Sequence, residues 1–266
     1  MIPIDFMLDM NNKMETYTVI DAEITAATMN QAIAKVREMA NGNKKGYACF
    51  VNAHVSVMTR QDESLRHAVN QASFAFSDGM PVYLIGRYLF NKKIEKISGP
   101  DFMGRMFNDA EGRKLRHYFY GGKPEVLEQL VDKLKKKYPD CQIVGAESPP
   151  FRPLLEEEQR QAIGRMIDAN AQLIWIGLGA PKQELWMQKS SNLLDSAILL
   201  GVGAAFDFHA GTVQRAPSYV QKIGMEWLHR LMQEPSRLWK RYFLTNSFFL
   251  LYTGMDWIKQ SGFKKN

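Results

Sequence analysis

The chain of 266 residues is poor in the residues that build several common kinds of site. Its two cysteines, Cys49 and Cys141, stand far apart and outside metal-ligand or redox spacing, which argues against a disulfide framework and a cysteine zinc site. A reducing compartment fits best. The five histidines show no paired ligand spacing and no Asp-x-Asp occurs, so no catalytic metal is expected. No serine sits in a nucleophile elbow, and neither cysteine has an activating context. The "GLG" at Gly177 lacks the third glycine and the downstream ribose-binding acid of a dinucleotide fingerprint. The start of the chain carries Asp5 and Asp9 and no basic-then-apolar secretory pattern, which predicts a cytosolic protein.

What the chain does have is 45% hydrophobic content, enough to bury a substantial core, and a formal net charge of +6. That charge is unevenly placed. Residues 215–266 hold nine Lys/Arg against three Asp/Glu, while the rest of the chain holds 25 of each. Ten of the 30 aromatic residues share the same last fifth. This predicts two parts, a neutral core over residues 1–214 and a basic, aromatic helical appendage over 215–266.

Within the core, short apolar runs alternate with helical patterns: "YTVI", "MNQAIAKVREMA", "YACFVNA", "ESLRHAVNQA", "FAFSDG", and so on through "LIWIGLG" to "AILLGVGAAFDF". Such alternation predicts an α/β fold with a mostly parallel sheet covered by helices on both faces. Ligands then bind outside the carboxyl ends of the strands. Asn52, Asp78, Gly121-Gly122, the turn from Gly177 to Gln183, and Asp207 all follow apolar runs and would meet on one rim.

Each has a plain alternative. Asp78 could take a proton from an attacking hydroxyl, or it could form an Asx turn or N-cap before "MPVYLIGRYL". Asn52 could bond a ligand or cap the next helix. The turn "GLGAPKQE" could bring two glycines and a helix N-terminus to a phosphate, or be an ordinary strand-to-helix turn.

The tail admits three readings. Arg237, Lys240 and Arg241 are spaced to share a helical face, and Pro235 suits the first turn of a helix. The apolar stretch around Phe248 to Leu251 is unlike a nucleic-acid stacking platform, whose charges interleave with its rings. A helical hairpin packed on the core accounts for many of the Leu and Trp residues. A membrane-surface helix accounts for both charge and aromatics, and is the reading favoured here.

Taken together, "VNA" at Val51, "SDGMPV" from Ser77, "KISGPDF" from Lys96, "YGGKPEV" from Tyr120, "GLGAPKQE" from Gly177, "GVGAAFDFHAG" from Gly201, "RAP" at Arg215 and "MEWLHRLMQEPSRLWKRY" from Met225 resemble the WecG/TagA/CpsF glycosyltransferases, glycosyltransferase family 26. The resemblance covers nearly the whole chain from about residue 15. It implies a Rossmann-like core with a membrane-associating carboxy-terminal appendage. It also implies an inverting, metal-independent transfer without any cofactor, from a UDP-sugar to a polyprenyl-diphosphate-linked sugar in bacterial surface polysaccharide or teichoic acid synthesis. Donors among such proteins carry N-acetylmannosamine, N-acetylmannosaminuronate or glucose. The protein would work peripherally on an anionic membrane, at the cytoplasmic face of the inner membrane, with no nucleic-acid partner. Homo-oligomers are left open, as is a Rossmann-type oxidoreductase or a basic nucleic-acid binder on composition alone.

By the same resemblance Asp78 is the general base, and Asn52, Gln183 and Asp207 belong to the pocket. Arg230 and Arg237 meet a diphosphate, with Lys240 or Arg241 continuing the cluster. Two positions near the expected pocket depart from the usual pattern. Phe50 stands where Thr is frequent, and Lys96 where Arg is frequent, keeping the charge without the fork.

Overall fold

A computed structural model describes residues 14–263. The start of the chain, read above for a secretory pattern, lies outside the described residues. The first element is a hairpin of β1 (Thr16–Val19) and β2 (Ala22–Thr25), antiparallel and separate from the main sheet. The "YTVI" run thus supplies a strand, but of this small hairpin and not of the parallel array. The remaining strands are β3 (Lys45–Val51), β4 (Phe74–Ser77), β5 (Arg116–Gly121), β6 (Gln142–Glu147), β7 (Leu173–Gly177) and β8 (Ala197–Gly201). They form one six-stranded sheet in the order β4-β3-β8-β7-β5-β6, and every pairing in it is parallel.

The strands read as unbroken apolar runs because both faces of the sheet are covered. In β7, Ile174 and Ile176 enter one core while Leu173 and Trp175 enter the other, as a two-residue period requires. The first core is closed by α2 (Ala53–Gln61), α3 (Glu63–Asn70), α7 (Glu156–Asp168) and α8 (Lys182–Ser191). The second is closed by α1 (Met29–Asn41), α5 (Gly99–Asn108), α6 (Pro124–Lys137) and α9 (Ala205–Ala210). Each large side chain buried this way contributes about 1.5–3 kcal/mol.

Local signals set the helix starts. Thr28 and Gln31 form a capping box at α1, and Asp62 and Ser98 accept backbone N–H bonds at α3 and α5. After β4 the chain turns through Gly79, whose φ of +87° suits glycine, into the short α4 (Met80–Leu84), which runs on as a π-helical turn over Ile85–Leu89.

Three helices end the described chain: α10 (Ser218–Lys222), α11 (Glu226–Gln233) and α12 (Pro235–Phe263). Pro235 opens α12 as expected. This 29-residue helix lies along α2. Phe249 enters the first core with Phe248 and Tyr252 beside it, and Arg60 of α2 bonds Asp256 at 3.0 and 3.1 Å. On the opposite side of α12, Trp239, Phe243 and Leu250 share one exposed face and are 58 to 73% exposed. Among the described residues no helix is long and apolar enough to cross a membrane.

Candidate active site

Strands β4, β3, β8, β7 and β5 are neighbours and parallel, so their carboxyl ends form a single rim. The rim holds Asp78 after β4, Asn52 after β3, residues 202–207 after β8, the Gly177–Gln183 turn after β7 and Gly122 after β5. The expected convergence is therefore present in the fold. Asp207 does not directly follow its strand: β8 stops at Gly201, and Asp207 sits in the short helix α9.

Asp78 is anchored by its backbone, its N–H donating to Val51 O at 2.9 Å. Its carboxylate is free for chemistry. Gly79, not Asp78, occupies the cap position of α4, and among the described residues the Asp78 carboxylate has no hydrogen-bond partner. Burial pushes its pKa up from 3.8 to about 7; Glu226 and Asp101 add to the rise, and Lys96 and Arg215 oppose it. A carboxyl held near neutrality is well matched to general-base work.

Lys96 is half-buried on this side of the rim and has no ion-pair partner among the described residues. The segment carrying it is tied to the end of β4: Ser77 Oγ donates to Glu95 O at 3.0 Å, and Ile97 N–H to Ser77 O at 2.8 Å. Next to it, Ser98 caps α5 and donates to Asp101 Oδ2 at 2.5 Å. Arg215 closes the group. Its guanidinium grips Asp101 through two bonds of 2.5 and 2.8 Å, reaches Ser98 Oγ at 3.3 Å and bonds Glu226 of α11 at 3.1 Å. Burial disfavours the charge on Asp101, but the bonds from Arg215 and Ser98 outweigh it and hold this carboxyl below its ordinary range.

Phe208 of α9 lies between two arginines. Arg215 is 5.9 Å from the ring centroid and Arg230 of α11 is 5.5 Å from it. Arg230 Nε is buried without a hydrogen-bond partner among the described residues. The neighbouring Asp207 carboxylate also makes no side-chain bond there, while its backbone O accepts from Thr212. His209 Nε2 donates to Pro100 O at 2.9 Å, fixing α9 to the start of α5.

The other residues divide. Asn52 caps α2, its Oδ1 accepting from His54 N–H and Val55 N–H at 3.0 and 3.1 Å. Its amide nitrogen is uncommitted among the described residues, and its Cβ lies close to where a side chain on Gly79 would stand. Gln183 is buried and its amide is engaged internally. Nε2 donates to Gly201 O at 2.8 Å and to Glu184 at 2.9 Å, and Oε1 accepts from Gly179 N–H at 3.2 Å. It clamps the β7–α8 turn to the end of β8.

On α12, Lys240 and Arg241 are exposed, Arg241 lying 5.5 Å from the Tyr242 ring centroid and electrostatically close to His54. Arg237 is on the same helix, and its side chain lies outside the described residues.

The glycine turn differs from the expectation of two glycines facing a ligand. The space over Gly177 is occupied by Phe206, which also sits over Gly122, and Gly121 packs directly on the Gly177 backbone. Only Gly179, at φ +77°, faces open space. Phe50 also has a different setting: its ring is buried in the core, 5.7 Å from Phe76 and 5.3 Å from Phe102, and not at the rim.

Arg215, Asp101, Ser98, Glu226 and Phe208 carry no role in the sequence reading. A faint signal was present in "SGPDF", where a Ser cap, an early Pro and an Asp mark a helix start, but its partner Arg215 is 114 residues away. Among the described residues no group of three or more His, Cys, Asp or Glu converges as a metal site would need.

A sequence model of the family described as glycosyl transferase WecG/TagA/CpsF matches residues 17–262.

Proposed function

The chain belongs to the WecG/TagA/CpsF family of glycosyl transferases and is a glycosyltransferase of cell-surface polysaccharide synthesis, and from that premise we propose an inverting, metal-independent transfer from a UDP-sugar to a polyprenyl-diphosphate-linked sugar, with Asp78 as general base. The donor sugar is of the N-acetylmannosamine, N-acetylmannosaminuronate or glucose type. The observation that carries this reading is the Asp78 carboxylate, unengaged at a strand end and poised near pH 7.

Inversion needs a single base. Asp78 removes the acceptor hydroxyl proton, the hydroxyl oxygen bonds to the anomeric carbon from one face, and the carbon–oxygen bond to UDP breaks on the other. The electron pair leaves with the diphosphate. Lys96 and Arg230 supply positive charge for it, aided by the open start of α8 at Gly179. Asn52 and Asp207 offer unspent polar groups to sugar hydroxyls, while Gln183 shapes the turn.

Residues 1–214 act as the catalytic core and 215–266 as an appendage that lies on an anionic bilayer at the cytoplasmic face of the inner membrane. The bare apolar face of α12, the basic Lys240 and Arg241 at its start, and the absence of any charge over residues 242–255 support that role.

The test is transfer of label from a panel of UDP-sugars to a lipid-diphosphate-sugar acceptor in vesicles, comparing wild type with Asp78→Asn. Transfer from one donor, lost in the variant, is the expected result. Full activity in the variant would remove Asp78 as base.

A further inference from the structure

Arg215 joins the start of α5, close to the base, to the start of α11, which carries Arg230. Four of its N–H contacts are directional: two to Asp101, one to Ser98 and one to Glu226. Phe208 lies against it on α9. The Ser98 end continues through Ile97 to Ser77, the residue immediately before Asp78. A continuous path of bonds therefore runs from the strand end that presents the base to the first turn of α11. On that turn, Glu226 brings a negative charge into the electrostatic surroundings of Asp78, which otherwise comprise Lys96, Asp101 and Arg215.

Resting on the assignment of Asp78 as base, we propose that Arg215 and Glu226 are positioning residues that make the strength of the base depend on the seating of α11. With α11 docked, Arg215 fixes Glu226 where its charge makes Asp78 a better proton acceptor. With α11 displaced, Glu226 leaves and Asp78 faces an excess of positive charge from Lys96 and Arg215, which weakens it as a base. The same docking brings Arg230 over Phe208. The Arg230 share of leaving-group stabilisation and the full base strength then arrive together, and an enzyme whose carboxy-terminal helices are not in place lacks both, which suppresses donor hydrolysis.

Glu226→Gln separates this from a scaffolding role. The amide oxygen still accepts from Arg215 Nε, so packing is kept while the charge is lost. The pH dependence of kcat/KM for transfer is measured on full-length protein in vesicles, with Asp78→Asn as reference. The Asp78 carboxyl is also titrated by carbon-13 NMR on aspartate-labelled protein, and its signal is assigned from the same variant.

In Glu226→Gln the acidic limb and the NMR midpoint both move to lower pH, and the plateau rate falls because the base is weaker. Arg215→Lys keeps the charge but loses the fork that holds Asp101 and Glu226 together. It moves both readouts the same way, and carries the test if Glu226→Gln does not fold. The double variant moves them no further than the larger single change, since the two residues act as one unit. Coincident profiles and midpoints for wild type and Glu226→Gln would overturn the proposal. Undiminished transfer by Asp78→Asn would instead remove the base assignment beneath it, and the two failures are told apart by which variant departs from wild type.

Discussion

His54 of α2 and Thr245 of α12 are hydrogen-bonded at 3.0 Å, two residues along from the Asn52 that caps α2, so the long carboxy-terminal helix is fastened to the helix that borders the pocket. Burial, with Arg241 nearby, pushes the His54 pKa down from 6.5 to about 4. A histidine depressed in the fold contributes stability above its ordinary pKa and loses it as pH falls through the folded value. Between pH 6.5 and 4, docking of α12 is therefore expected to weaken. Amide hydrogen exchange along α12 should quicken in that window, and His54→Gln should flatten the change.

Asp78 has the opposite linkage. Its folded pKa of about 7 lies above the ordinary 3.8, so its contribution is present in full below the ordinary value and is lost as pH rises through 7. Asp78→Asn is thus expected to be inactive yet more stable than wild type at pH 8, by about 1–3 kcal/mol after allowance for solvent screening. At pH 4 the two should melt together. Thermal denaturation at both pH values checks this, and equal differences at pH 4 and pH 8 would contradict it.

At Asn52 the cap and the pocket can be separated. Asn52→Ala removes the acceptor for two backbone N–H groups and should cost about 1 kcal/mol of stability. Asn52→Asp keeps the acceptor and should melt like wild type, while losing the amide donor that faces the rim. A loss of roughly tenfold or more in kcat/KM at unchanged Tm would mark a substrate contact, worth about 1.4 kcal/mol; unchanged kinetics would leave Asn52 a cap alone.

The bare face of α12 predicts membrane behaviour. Phe243→Ser and Leu250→Ser change side chains that are 67 and 73% exposed and pack little on the core. Stability should move by less than about 0.5 kcal/mol. Partitioning onto vesicles containing anionic lipid should fall about tenfold or more for each, in line with the cost of leaving a large apolar side chain in water. Sedimentation with vesicles measures it, and undiminished binding by the double variant would remove this face from the contact.

The parallel array was legible because runs such as "LIWIG" and "AILLG" are apolar at every position, a pattern that arises when both sheet faces are covered. The rim followed from the same runs, since residues just after parallel strands must share an edge. Other features were not legible, for physical reasons. Whether glycines face a ligand or a neighbour depends on what packs over them, and Phe206 arrives from another element. The commitment of Gln183 depends on Gly201 being near, 18 residues on. The Arg215 cluster joins residues 98, 101, 215 and 226, and only tertiary folding brings them to one place. Phe50 could be placed at the pocket only while its partners Phe76 and Phe102 were unknown.

Arg60 bonds Asp21 in the β1–β2 turn at 2.7 and 3.1 Å as well as Asp256 near the far end of α12, and Tyr252 lies 5.1 Å from it. One guanidinium thus acts as a clasp between segments 235 positions apart in the chain. Loosening either segment strands the charge that serves the other, so the two are coupled in unfolding despite their separation along the chain. Proteolytic nicking near residue 256 should therefore be felt first at the amino-terminal hairpin.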